Sequence, residues 1–193
     1  MHCSPSSGDL LVGLIRYDNY TFKHTGKVMR YNNTGRHTQA IPHNTQDNLY
    51  RNPRYIIENN YGDVLVSDGT YYALVVTSQA GVHRFSYKGP PSSESGLFPH
   101  GVCTDALSHI LVCDPASHTV HMLSQDGEFL KYLMTVQSSD VAYPLPCGLS
   151  YDLYTHCLWV GLATKSPWHV YLSLIHISEP TRPLYISYAV FCL

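Results

Sequence analysis

The chain has 193 residues, a net charge of −2 at pH 7 and only 13% charged residues. This balance argues against a global attraction to nucleic acid or to an anionic membrane. No segment reaches the roughly 20 apolar residues of a membrane-spanning helix, so we expect no membrane partner. Its 16 tyrosines, 13 glycines and 12 prolines favour short strands joined by turns.

A repeated phrase organises the chain. Residues 53–68 begin PRYI and end VLVSD, residues 99–114 begin PHGV and end ILVCD, and residues 146–161 begin PCGL and end LWVG. The prolines that open the three copies are 46 and 47 residues apart. Fixed periods of this length are the signature of propellers and other arrays. We predict an all-β partial propeller with units at 1–48, 49–95, 96–142 and 143–171.

The first unit departs from this pattern. Its Gly8-Asp9-Leu10-Leu11-Val12 matches residues 62–66, but no Pro-x-Gly element precedes it, so we expect its opening strand to be missing. Val12 and Val66 are 54 residues apart, which predicts an insertion between Ile15 and Lys27.

The other units predict short strands separated by turn residues. Strands are expected at 54–58, 64–67, 73–77 and 82–87 in the second unit, at 110–113, 119–123 and 128–133 in the third, and at 156–160 in the fourth. The strands lie too close in sequence for parallel crossovers, which need about a dozen residues or more.

The last 22 residues resemble a translated sequencing adapter. In one reading frame, a transposase adapter encodes residues 172–182, and its adjoining primer encodes residues 186–193. A natural apolar C-terminal strand is the alternative. We expect residues 172–193 to be a non-native tail and exclude them from the fold argument, so that the propeller sequence would end near Tyr171, before its last strand.

The repeated phrase resembles the NHL repeat. The wider resemblance is to the propeller of tripartite-motif (TRIM-NHL) proteins, especially the mollusc ones, and it covers residues 8–171. Residues 51–56, 83–87 and 103–114 carry it most strongly. The resemblance implies a six-bladed propeller that binds a protein or RNA. It also implies that any ubiquitin-ligase activity belongs to a RING domain that this chain does not encode, so that this chain is not an enzyme and needs neither a cofactor nor a small-molecule substrate.

Candidate binding residues follow the opening prolines. The residue after each proline is Arg54, His100 or Cys147, and in a propeller such residues can gather near one mouth of the channel. The alternative is that they are ordinary loop residues. Arg51, Arg54 and Arg84 also form, with Tyr50, Tyr55, Tyr87 and Lys88, a basic and aromatic cluster in sequence that would suit RNA, although core packing of the tyrosines explains it more simply.

Other polar residues have structural explanations. Asp68 and Asp114 follow their central strands, where Asp most often caps a turn. Cys113 with His118 and His121, or Cys147 with His156 and Cys157, lack a recognised zinc spacing, so we predict no metal site. None of the cysteines forms a Cys-x-x-Cys pair and no signal peptide is present, which favours a cytoplasmic location. Protein binding is the first hypothesis, RNA binding the second, and a metal-dependent propeller hydrolase or lyase the third.

Overall fold

Short turns break the chain into β-rich segments, and these segments form antiparallel sheets. The computed structural model describes residues 1–42, 49–91, 96–135, 145–163, 170–176 and 186–189. In this described part all regular structure is strand, and it contains no helix that could cross a membrane. The chain divides into two compact units, Met1–Ser92 and Ser93–Leu193.

The first unit holds two four-stranded sheets, here called blades 1 and 2. Blade 1 consists of β1 His2–Cys3, β2 Leu10–Asp18, β3 Lys23–Tyr31 and β4 His37–Ile41. Blade 2 consists of β5 Pro53–Glu58, β6 Val64–Asp68, β7 Ala73–Thr77 and β8 His83–Tyr87. In both blades each strand pairs antiparallel with the next strand along the chain. The short strands predicted from the sequence are therefore antiparallel neighbours in four-stranded sheets.

A core between the two blades holds the first unit together. Strands β6 and β7 are buried along their whole length, which explains why residues 64–66 and 73–76 are continuous apolar runs rather than alternating ones. The buried members of this core are Leu11, Val28, Ile41, Tyr50, Ile56, Val64, Val66, Ala73 and Val75. Each large aliphatic side chain buried in this way contributes about 1.5–3 kcal/mol.

The second unit repeats this arrangement with blades 3 and 4. Blade 3 consists of β9 Val102–Thr104, β10 Ile110–Asp114, β11 Thr119–Leu123 and β12 Phe129–Thr135. Blade 4 consists of β13 Leu145–Asp152, β14 Cys157–Ala163, β15 Val170–His176 and β16 Ile186–Ala189. Its core is built from Leu111, Cys113, Val120, Met122, Leu133, Met134, Leu158, Val160 and Leu162.

The insertion predicted in the first unit is an extended β-hairpin. Strands β2 and β3 have nine residues each, whereas β6 and β7 have five. Both hairpins close with four-residue turns, at 19–22 and 69–72. Four extra residues on each strand account for the spacing of 54 residues rather than 46, so the position of the insertion is confirmed.

Two expectations about the ends of the sheets differ from the structure. The first unit does have an opening strand, because His2 and Cys3 pair with Leu11 and Leu10. Blade 4 continues past Tyr171, because β15 pairs with β14 and β16 pairs with β15. Strand pairing uses only backbone groups, so an apolar segment of any origin can occupy these places. The other residues of the 172–193 tail lie outside the described part.

Candidate interaction surface

The residue after the opening proline of blade 2, Arg54, lies in a β-bulge. Pro53 pairs with Asp68 and Tyr55 pairs with Ser67. Arg54 therefore has no partner position of its own on β6 and is the extra residue of the bulge. Bulges redirect a side chain, and they are common at rims and next to functional sites. Arg54 is exposed here, and its guanidinium lies against Gly69.

The second unit contains the same irregularity twice. The register of β13 shifts between Pro146 and Gly148, so Cys147 is an extra residue. His100 donates its N–H to the Cys113 carbonyl at 3.0 Å, and the Cys113 N–H donates to the Gly101 carbonyl at 2.9 Å. Two consecutive residues, His100 and Gly101, therefore lie opposite the single residue Cys113, as in a β-bulge.

Blades 3 and 4 approach each other closely at these two positions. The Gly101 N–H donates to the Cys147 carbonyl at 2.9 Å. Gly101 directly follows His100, so this backbone hydrogen bond places the candidate residues His100 and Cys147 close together.

The two thiols at this contact, Cys147 and Cys113, are weak nucleophiles. Burial raises the pKa of the Cys147 thiol above its usual value, and it raises the pKa of Cys113 further. Both thiols therefore stay protonated near neutral pH, and a thiol is a poor nucleophile compared with its thiolate. The His100 ring packs against Phe98 with ring centroids 5.2 Å apart.

Arg51 and Arg54 lie at one end of blade 2, together with three tyrosines. Tyr55 and Tyr72 are 39% and 54% exposed. The Arg51 guanidinium lies 4.6 Å from the centroid of the Tyr71 ring, a cation–π contact. We call this set the blade-two rim; its members are Arg51, Arg54, Tyr55, Tyr71 and Tyr72.

Asp68 fixes the shape of this rim. Its Oδ2 accepts hydrogen bonds from the Arg51 and Asn52 N–H groups at 2.6 and 2.9 Å. Its Oδ1 accepts from the Thr70 and Tyr71 N–H groups at 2.9 and 2.8 Å.

Asp114 has the same role in blade 3. Its Oδ1 accepts from the Phe98 and Ala116 N–H groups, both at 3.1 Å. The structural interpretation of both aspartates is confirmed: each ties the entry of a blade to the turn between its two middle strands.

The structure does not bring Arg84 to this rim. Arg84 forms an ion pair with Asp63, which precedes β6 and so lies at the other end of the sheet. Tyr50 and Tyr87 are 1% and 6% exposed, and burial raises the pKa of Tyr50 to about 12. Only part of the basic and aromatic cluster seen in the sequence is thus available to a ligand.

The extended hairpin carries exposed residues that the sequence analysis did not single out. Side chains that are 46–97% exposed are Leu14, Ile15, Tyr17, Tyr20 and Phe22. The 54-residue spacing was the available signal, but spacing alone does not show which inserted residues face solvent.

The histidines and cysteines do not converge in the described residues. No group of three or more His, Cys, Asp or Glu side chains there is placed to hold a metal ion. His118 lies in the turn before β11 with φ of 58°. His121 is buried, and its Nε2 is 2.8 Å from Thr119 Oγ1.

Comparison with known proteins supports the fold class. No protein-family model matches the chain, and no curated protein matches it. Among solved structures, a protein provisionally described as a gluconolactonase is 18% identical with a TM-score of 0.60, over 89% of this chain and 55% of that one. A streptogramin B lyase is 14% identical with a TM-score of 0.53, over 93% of this chain and 72% of that one.

A third similar structure is YCF48 from Cyanidioschyzon merolae. It is 10% identical with a TM-score of 0.53, over 86% of this chain and 52% of that one. All three are β-propeller proteins, so the chain has the fold of a partial β-propeller. It spans little more than half the length of the first of these structures. Identities this low show the fold alone, so the TRIM-NHL family and the absence of catalysis stay predictions.

Proposed function

We propose that this chain is part of a protein-binding β-propeller of the TRIM-NHL kind and performs no bond chemistry of its own. The observation that carries the proposal is the blade-two rim. It presents two arginines and three tyrosines at the end of a rigid blade, and arginine and tyrosine are enriched among the residues that dominate protein interfaces.

The rim is preorganised for binding. Asp68 holds four backbone N–H groups around it, and Arg51 is already stacked on Tyr71. A partner therefore loses little affinity to ordering these groups. In a full-length protein with a RING domain, such a surface would select the substrate for ubiquitin transfer.

RNA binding is the second candidate function. Arg51 and Arg54 could contact phosphates, and the exposed ring of Tyr72 could stack on a base. The candidate is weaker because Tyr50 and Tyr87 are buried in the core and the chain carries a net charge of −2.

Site-specific photocrosslinking tests both functions. A benzophenone amino acid would replace Tyr72 on the rim or, as the matched control, Tyr61. Tyr61 is 64% exposed and lies in a turn at the other end of the same blade. Cells expressing either variant are irradiated, and the adducts are treated with nuclease or protease.

The proposal predicts a discrete protein adduct from position 72 that resists nuclease and is absent from position 61. A nuclease-sensitive adduct from position 72 would replace it with the RNA function. Equal adducts from both positions, or none, would overturn the rim as the binding surface.

A further inference from the structure

The turn that carries the blade-two rim has the same design as the corresponding turns of the other blades. These turns span residues 18–22, 68–72, 114–118 and 152–156. Each begins with an aspartate whose Oδ1 accepts a hydrogen bond from the N–H two residues later, at 2.8–3.1 Å, and each ends with a residue whose φ is 53–58°. The residue after the aspartate is Asn19, Gly69, Pro115 or Leu153. The design of the turn therefore does not require glycine at that position.

Gly69 instead leaves room for the side chain of Arg54. A Cβ atom at position 69 would lie 2.8 Å from Arg54 Cζ and 2.9 Å from Arg54 Cδ, and it would lie closer still to Arg54 Nε. The φ of Gly69 is outside the left-handed region, so its backbone conformation is open to other residues. The contact with Arg54 is thus the structural reason for a glycine here, because a larger residue would displace the guanidinium.

The second guanidinium of the rim rests on the same turn. Arg51 lies over the Tyr71 ring, with 4.6 Å between its Cζ and the ring centroid. The Gly69 N–H donates to the Asn52 carbonyl at 3.0 Å, which ties the turn to the segment that carries both arginines. Arg51 and Arg54 are exposed. The turn therefore presents two cations in fixed places, which lowers the entropy lost when a ligand binds them.

The acid of the rim, Asp68, has no oxygen left for these cations. A carboxylate has about four acceptor positions, and Asp68 uses them on four backbone N–H groups. Its side chain is also fully buried. The unit Met1–Ser92 as a whole contains nine Lys or Arg and six Asp or Glu, so its net charge adds to the positive potential at the rim.

We propose that the blade-two rim binds an acidic segment of a partner protein, and that Gly69 positions Arg54 for a carboxylate of that segment. This inference rests on the proposed protein-binding function and names the chemistry of the partner. A guanidinium matches a carboxylate bidentately, and clusters of arginine are a recurring means of recognising acidic motifs. The exposed parts of Tyr55 and Tyr72 offer ring surface to apolar side chains of the same segment.

RNA would place phosphates on the same two arginines. It fits the rim less well, because binding of single-stranded RNA also uses aromatic rings as stacking platforms for successive bases. One face of the Tyr71 ring is already covered by Arg51. A partner with carboxylates needs only the guanidinium groups and is therefore the better match.

Fluorescence anisotropy with the full chain tests the role of charge. The probe is a fluorescein-labelled peptide in which glutamates flank a central leucine, and the control peptide has glutamine in place of each glutamate. Arg36→Met is the matched variant, because Arg36 is an exposed arginine in the β3–β4 turn of blade 1. We expect Arg51→Met and Arg54→Met each to weaken binding at least about fivefold at low salt, and Arg36→Met to change it less than about twofold.

Gly69→Ala separates the position of the guanidinium from its charge. It displaces Arg54 without removing the cation, so we expect faster dissociation of the peptide at a nearly unchanged association rate, whereas Arg54→Met also slows association. In an Arg54→Met background, Gly69→Ala should have no further effect on binding. An equal loss of affinity with and without Arg54 would show that Gly69 does not act through Arg54.

Four results would overturn the acidic partner. They are no binding of the glutamate peptide to the wild-type chain, equal binding of the glutamine peptide, equally tight binding of oligouridylate, and a loss in Arg36→Met as large as that in the rim variants. Photocrosslinking from position 72 separates this failure from that of the proposed function. A discrete protein adduct that is unchanged when Arg51→Met and Arg54→Met are combined would keep the protein-binding function and overturn only the acidic partner.

Discussion

The close approach of blades 3 and 4 at Gly101 makes a specific demand on the sequence. A Cβ atom on Gly101 would lie 2.7 Å from the Cys147 carbonyl oxygen and 2.7 Å from the Gly148 Cα, and it would lie 2.8 Å from the Leu149 nitrogen. All three are backbone atoms, so no side chain can rotate away. Gly101→Ala must therefore push β13 away from blade 3.

The expected cost follows from two effects. Overpacking of a tight interior usually costs 1–3 kcal/mol. The shift also weakens the hydrogen bond from the Gly101 N–H to the Cys147 carbonyl, and a bond of this kind is worth about 1 kcal/mol. We therefore expect Gly101→Ala to lower the free energy of unfolding by about 2–4 kcal/mol.

Gly148→Ala is the matched control. It lies on the facing strand next to Cys147, and a Cβ there meets nothing within 4 Å. We expect it to change stability by less than about 0.5 kcal/mol, as for other unconstrained substitutions. Urea unfolding followed by circular dichroism measures both variants. Equal effects of the two alanines would refute the close packing of β13 against the entry to β9.

Two further predictions concern buried charge and pH. Glu58→Gln leaves Arg30 buried, with Asp9 at 3.5 Å as its remaining acid, so it should cost about 3 kcal/mol in urea unfolding; Arg30→Met combined with Glu58→Leu should recover most of this loss, and a double variant as unstable as the single one would contradict the argument. Burial lowers the pKa of His121, an effect that Asp114 partly offsets, so the unfolded chain takes up a proton near pH 6.5 before the folded chain does. The free energy of unfolding should therefore fall as pH drops from 7.5 through 6.5, and His121→Gln should flatten that fall; an unchanged slope would show that His121 does not cause it.

The fold was predictable because the signals for it are local. Strand 73–77 was predicted with its observed bounds, and strand 64–67 to within one residue, because β-branched runs are bounded by glycine and aspartate turns. The turn role of Asp68 was local in part, since its donors Thr70 and Tyr71 follow it by two and three residues, whereas Arg51 and Asn52 precede it by 17 and 16. The strands at residues 2–3 and 170–176 were missed because no repeat phrase marks them.

The candidate surface was less predictable because it depends on register and burial. The bulge at Arg54 exists only relative to the pairing of Pro53 and Tyr55 with β6, which no local pattern encodes. The sequence pattern groups Arg84 with Arg51 and Arg54, but in the structure Arg84 forms an ion pair with Asp63. No sequence pattern separates Tyr50 from Tyr72, yet Tyr50 lies in the core and Tyr72 is exposed.

Hydrogen–deuterium exchange resolved by mass spectrometry tests the central claim, which is that four-stranded antiparallel blades recur along the chain. The account predicts slow exchange in the middle strands 64–68 and 73–77, and again in 110–114 and 119–123, with fast exchange in the turns at 69–72 and 115–118. Continuous protection across those turns, or uniform fast exchange in all four strands, would contradict it.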